Sequence, residues 1–320
     1  MNIIPFIGRH RELESLLQLE HKKIPSLVVI KGRRRIGKSR LVQEFAFKFT
    51  KRSAEKKFYS FSGLPPSDET TAQSQRDEFT RQMSEQLGVP HLKIHDWGDI
   101  FTLLAKQTQK ERAIILFDEI TWMGSKDPNF LGKLKIAWDL HFQNNPHLIL
   151  ILCGSVSSWI EKNILKSTGF FGRISLTIAL NELSLMESHQ LLKSLKIKGS
   201  VFEEFMILSI TGGIPWYLQL FNPTLTISEN IKNLCFTPQG TLVTEFSYIF
   251  HDLFHKRGDI CKKIIEKLSE GPLPYTDIAE QIAYASGGPL SDYLDDLMTA
   301  GFICRNFTWS LKTGKPSRLS

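Results

Sequence analysis

The chain has 320 residues, is 42% hydrophobic and carries a formal net charge of +7, which suits a globular protein of two or three domains with a real core. Its four cysteines, Cys153, Cys235, Cys261 and Cys304, form no C-x-x-C pair, which speaks against a disulfide scaffold. No apolar run approaches a membrane span and Asn2–Ile7 is too short for a signal peptide, so a cytoplasmic protein without membrane contact is expected.

Strand-like runs over 27–31, 57–61, 113–117, 148–153 and 174–180 alternate with helical patterns over 9–20, 38–50, 74–87, 98–109, 130–143 and 156–165. That alternation predicts a parallel sheet with helices on both faces. Residues 63–71, rich in Pro, Ser and Asp, read as an exposed loop. After residue 181 the strands stop, and helical periodicity over 183–195, 201–210, 216–221 and 240–255 predicts a small helical subdomain. Helices over 260–269, 275–283 and 290–300, then a hairpin through Phe302–Leu311 and Thr313–Lys315, read as a winged helix-turn-helix. The expected domains are 1–180, 181–256 and 257–320.

The run Gly32-Arg33-Arg34-Arg35-Ile36-Gly37-Lys38-Ser39 matches G-x-x-x-x-G-K-[ST] and lies between the Ser26–Lys31 strand and a helix opening at Arg40. In that setting backbone N–H groups and the positive helix end can surround phosphate oxygens. Lys38 would reach the β- and γ-phosphates, and the Ser39 hydroxyl would ligate Mg²⁺. Residues 1–60 hold 15 Lys/Arg against 5 Asp/Glu, whereas the rest of the chain holds 25 against 28. The basic excess therefore surrounds the phosphate loop, as either an ATP site with an exposed basic helix end or a nucleic-acid surface.

A second signal is the apolar strand Ala113–Phe117, which ends in Asp118-Glu119. Asp118 would hold the water shell of Mg²⁺ and Glu119 would polarise the attacking water. Ser155 follows the Leu148–Cys153 strand and would either sense the γ-phosphate or cap the next helix; the first role requires that strand to lie between the other two. Arg173, beside Gly172 and just before a strand, is a candidate transition-state clamp or an ordinary surface arginine. In Thr211-Gly-Gly-Ile-Pro-Trp216, two glycines and Pro215 end one helix and begin another. No arginine occurs between 174 and 256, so this turn, with Pro215, is the expected lid contact to base or ribose.

Together these residues resemble the archaeal-type ATPases of the STAND class of AAA+ P-loop NTPases. The match runs from Phe6-Ile-Gly8-Arg9-x-x-Glu12 through the Arg-rich loop, Phe117-Asp-Glu119, Cys153-Gly-Ser155, Phe171-Gly-Arg173 and Gly212-Gly-Ile-Pro215. The resemblance implies ATP and Mg²⁺ as ligands. It implies that Phe6, Ile7 and Gly8 flank adenine, that Ser155 is a γ-phosphate sensor and that Arg173 resembles an arginine finger. Members commonly continue into a nuclease-like domain; this chain stops near the wing and reads as a form lacking it.

His251-Asp-Leu-Phe-His255 imitates a zinc helix but lacks a third ligand and is set aside. The helix around Asp292, Asp295 and Asp296 has no Lys or Arg and would repel phosphates, which favours protein docking, while Arg305, Lys312, Lys315 and Arg318 keep DNA open. The guanine-reading Asn-Lys-x-Asp motif is absent, against a GTPase. The expectation is an ATP-hydrolysing switch with a protein partner and self-association open; the alternative is a DNA-associated ATPase.

Overall fold

The computed structural model describes residues 5–310 and 315–317, except 66, 68, 156, 255, 256 and 286. His255, Lys312 and Arg318 lie outside the described residues. Contacts divide the chain into two compact units, Met1–Pro223 and Thr224–Ser320.

The first unit opens with α1 (His10–Leu19), β1 (Ser26–Gly32), α2 (Lys38–Lys51) and β2 (Lys56–Ser62). Next come α3 (Ala72–Leu87), α4 (Trp97–Thr108), β3 (Arg112–Asp118), α5 (Ile120–Met123) and α6 (Phe130–Leu140). It closes with β4 (Ile149–Gly154), α7 (Ser157–Ile160), β5 (Ile174–Leu180), α8 (Leu185–Ser194), α9 (Val201–Thr211) and α10 (Pro215–Leu218). All five strands are parallel, in the order β2-β3-β4-β1-β5. β4 therefore lies between β1 and β3, the arrangement on which the sensing role of Ser155 depends.

Parallel strands are covered on both faces and read as apolar runs. In β1, Leu27, Val28, Val29 and Ile30 are all buried. Leu27 and Val29 face a cluster built on aromatic rings from β2, β3, α3, α4 and α6. Phe79 lies at its centre, stacked on Phe61 at 4.4 Å and edge-on to Phe117 at 5.3 Å and Trp97 at 5.4 Å. This cluster fixes the strand whose end carries Asp118.

Two helices differ from the sequence reading. The pattern over 130–143 breaks at His141, and 3₁₀ turns follow at Phe142–Asn144. The pattern over 156–165 is one α-turn followed by a π-turn, Glu161–Leu165. Among the described residues, no helix is long and apolar enough to cross a membrane.

The second unit comprises α11 (Ile227–Cys235), α12 (Thr241–Phe254), α13 (Gly258–Leu268), α14 (Tyr275–Gln281) and α15 (Gly288–Thr299), then the antiparallel pair β6 (Thr308–Ser310) and β7 (Lys315–Ser317). α11 was not anticipated, although the Thr226–Glu229 capping box announces it. Phe250, Cys261, Ile264, Leu290 and Leu297 form buried parts of this unit. The Tyr275 hydroxyl closes the turn into α15 by donating to the Gly287 carbonyl and accepting from its N–H.

Candidate functional site

In a parallel sheet the carboxyl ends of all strands meet along one edge, and ligands bind outside that edge where strand order reverses. Here the register sets Lys31 beside Gly154 and Ala179, and Phe117 beside Leu152. The loop after β1, the acid pair after β3 and Ser155 after β4 are thereby brought together.

Gly32 starts the loop because nothing larger fits: a Cβ there would meet the Leu180 carbonyl at 2.5 Å. The loop then turns through Arg35, a non-glycine residue at φ +68°, and feeds α2 at Lys38. The Lys38 side chain is buried and donates to the carbonyls of Gly32, at 2.9 Å, and Arg33, at 3.0 Å. The Ser39 hydroxyl donates to Asp118 Oδ2 at 2.7 Å. Glu119 holds the left-handed region at φ +51°, a conformation that non-glycine residues keep only where their surroundings impose it. Its Oε2 accepts from the Ser155 hydroxyl at 2.9 Å and the Ser155 N–H at 3.2 Å.

Beside these groups lies a cavity of about 650 Å³, a size that accommodates a cofactor. One end is polar, lined by Arg34, Gly37, Lys38, Ser39, Arg40 and Glu119. The other is largely apolar, lined by Phe6, Ile7, Leu183, Leu191, Pro215 and Trp216. Arg35 and Ile36 also line it, and the Arg35 guanidinium lies over the Trp216 ring at 3.5 Å from the centroid. Arg33 instead pairs with Glu182 at 3.2 Å.

Gly8 packs beneath the Glu187 carboxylate. Arg9, which follows it, is a buried cation. Its guanidinium donates to the Ile36 carbonyl, at 3.2 Å, and to the Asn181 carbonyl. Burial pushes the Arg9 guanidinium below its ordinary value, against the opposing pull of Glu12, Glu187 and Glu182. Arg9, Glu187 and Trp216 were not singled out as site residues. Sequence signals for them exist: Arg9 follows Phe6-Ile-Gly8, Trp216 follows Gly-Gly-Ile-Pro215, and Ser184-x-x-Glu187 has the pattern of a capping box.

Arg173 is not brought to the phosphate loop of its own chain. It precedes β5, whose first residue, Ile174, pairs with Leu27 at the start of β1, whereas the loop leaves the other end of β1. At about 3.3 Å per strand residue the two edges are roughly 15–20 Å apart. There the guanidinium makes a two-pronged bond to Asp139, at 2.7 and 2.9 Å.

Residues 6–221 match the family model described as an ATPase domain predominantly from Archaea. The chain belongs to this family. An uncharacterized protein of Methanocaldococcus jannaschii is 24% identical over 315 residues, covering 97% of this chain, which spans 65% of that relative's length. A Walker-type ATPase of Pyrococcus abyssi has a similar structure, with a TM-score of 0.67 and 17% identity over 94% of this chain and 91% of the other. The Aeropyrum pernix ORC2 protein, solved as ADPNP–ADP complexes, gives 0.56 and 14% over 94% and 88%. The ORC1 protein of the same organism, in complex with DNA, gives 0.54 and 12% over 99% and 90%. The fold is that of an AAA+ P-loop ATPase, a five-stranded parallel sheet followed by helices.

Proposed function

We propose that the chain binds ATP with Mg²⁺ in the cavity at the sheet edge and hydrolyses it, as a switch whose nucleotide state governs docking to a partner. The observation that carries this reading is the convergence of Lys38 and Ser39, at the start of α2, with Asp118 and Glu119, at the end of β3. Ser39 Oγ and Asp118 Oδ2, 2.7 Å apart, are hard oxygen donors of the kind Mg²⁺ prefers. Bound there through Ser39 and the water shell held by Asp118, the metal would neutralise charge on the β- and γ-phosphates.

The protein's own groups do the rest. The loop amides and Lys38 receive the triphosphate, with the ammonium leaving the Gly32 and Arg33 carbonyls for phosphate oxygens. Glu119 turns from Ser155 to orient a water and accept its proton as the water oxygen attacks γ-phosphorus and the bond to the β–γ bridging oxygen breaks. The Ser155 hydroxyl, released from Glu119, is placed to donate to a γ-phosphate oxygen. The apolar end, with Phe6, Ile7 and Pro215, takes the base, so that ATP joins the sheet edge to the Gly212–Trp216 turn.

On this reading residues 1–180 would form the ATPase core, 181–256 the lid and 257–320 the docking arm. Protein docking by the last of these is favoured over DNA binding by its charge pairing. Asp296 engages Arg257 at 2.7 Å and Asp295 lies 4.0 Å from Arg305, so acidic side chains of α15 lie against basic residues, among them Arg305, which DNA binding would need for phosphates.

Two measurements test the proposal. Phosphate release from ATP should require Mg²⁺ and fall sharply in Ser39→Ala; Mg²⁺-independent release, or an unchanged rate in the variant, would count against the site. Duplex DNA binding should be weak at moderate salt and insensitive to ATP. A steep salt dependence with ATP-sensitive affinity would favour the DNA-associated alternative.

A further inference from the structure

The apolar end of the cavity is built partly from Phe6 and Ile7, which belong to no strand or helix. Something must hold them there if they are to serve a ligand. Phe6, Ile7 and Arg9 line the cavity, whereas Glu187, the carboxylate that fixes the backbone behind them, is not part of its lining.

Glu187 stands at the third position of α8. Its Oε2 accepts from the N–H and hydroxyl of Ser184, both at 2.9 Å, which completes an ordinary capping box. The box at Ser200–Glu203 is made in the same way through Glu203 Oε2. At Glu187 the second oxygen has a different use. Oε1 accepts the Arg9 N–H at 2.9 Å, from a residue 178 positions earlier. Gly8 makes that approach feasible: a Cβ would stand 2.5 Å from Oε1, and the residue is at φ +71°. One residue further, the Arg9 guanidinium reaches the Ile36 carbonyl of the phosphate loop and the Asn181 carbonyl after β5. The N-terminal segment is thus tied at one point to both neighbouring walls of the cavity.

Burial works against the Glu187 charge, yet the bonds from Ser184 and the Arg9 amide outweigh it and hold the carboxyl below the usual range. The carboxylate is therefore ionised, and so is a strong acceptor, throughout neutral pH.

We propose that Glu187 is a positioning residue for base recognition: by fixing Gly8 and Arg9 it sets the wall formed by Phe6 and Ile7, while touching no part of the nucleotide. The inference rests on the reading of the cavity as an ATP site. Its consequence is selective. The wall serves the base, whereas the phosphates are held by the loop, so loss of the Glu187 contact should weaken a ligand that carries a base and spare one that does not.

The test compares ATP with inorganic tripolyphosphate by calorimetry in the full chain. Glu187→Ala should weaken ATP about tenfold, the size of one charge-assisted hydrogen bond, and leave tripolyphosphate within about twofold of wild type. Glu187→Gln keeps a neutral acceptor and should fall between. Gly8→Ala, which displaces the carboxylate without removing it, should give the same pattern and stands in if Glu187→Ala does not fold. Equal weakening of both ligands, or of neither, overturns the role of Glu187 alone. A wild-type protein that takes up neither ligand overturns the ATP reading and the inference with it.

Discussion

Replacing Lys38 by alanine probes the phosphate site at its strongest point. Lys38 is only 5% exposed, and its ammonium is held by two loop carbonyls, at 2.9 and 3.0 Å, at the polar end of the cavity. In the proposed ATP complex it would exchange these for two phosphate oxygens. Each hydrogen bond to a charged group is worth about 1.5–3 kcal/mol, so losing both costs about 3–6 kcal/mol of affinity. At about 1.4 kcal/mol per tenfold, the dissociation constant should rise roughly 10²- to 10⁴-fold. The effect on the ligand-free protein should be smaller, because Lys38 lines the cavity, so water can enter the space its side chain vacates and reach the freed Gly32 and Arg33 carbonyls, and burial of a charge is relieved. Calorimetric titration with ATP should therefore lose its signal in Lys38→Ala. Thermal melting without nucleotide should move by only a few degrees, and the stabilisation by ATP, about 2.7 kcal/mol at a hundredfold excess over the dissociation constant, should vanish. Affinity retained within about threefold would refute the assigned geometry.

Two other expectations follow from packing and charge. Phe79→Ala removes a ring that is 2% exposed at the centre of the aromatic cluster and should cost about 3–5 kcal/mol in denaturant unfolding. A loss under 1 kcal/mol, on the order of an ordinary surface change, would mean the cluster is not the packed unit described. Asp139 is held down to about 2 by the hydrogen bond from Arg173, against burial and with help from Lys135. A carboxyl lowered in the folded state stabilises the protein above its ordinary value and loses that contribution as pH falls toward the lowered one. The small stability gap between wild type and Arg173→Ala should therefore persist above about pH 4 and close between about pH 4 and pH 2; a gap that stays constant would show that the ion pair is not its source.

Much of the sheet was legible because parallel strands leave apolar runs and their connections leave a 3.6-residue period. The phosphate loop and Asp118 were legible because chemistry and backbone geometry coincide in short local patterns. Ser155 was half legible: its place depended on strand order, which no local pattern encodes, and the bond to Glu119 exists because β4 inserts between β1 and β3. Arg173 shows the converse. Its sequence setting suits a phosphate clamp, but strand direction sends it to the far edge of the sheet. The contacts of Arg9 with Glu187 and Asn181 were illegible for a simpler reason, since they join segments more than 170 residues apart and each has at one end a backbone group that any residue carries. The break at His141 and the π-turn after α7 depend on tertiary packing that overrides a continuous helical period.

The central claim is that a buried lysine, a serine and two adjacent carboxylates form one hydrolytic site, and Glu119→Gln separates its two halves most directly. The substitution keeps the shape of the side chain and removes its ability to accept a proton. ATP affinity should stay within about threefold of wild type while phosphate release in a single turnover falls at least about a hundredfold, the usual weight of a general base. Phosphate release at the wild-type rate from a variant that binds ATP normally would contradict the account.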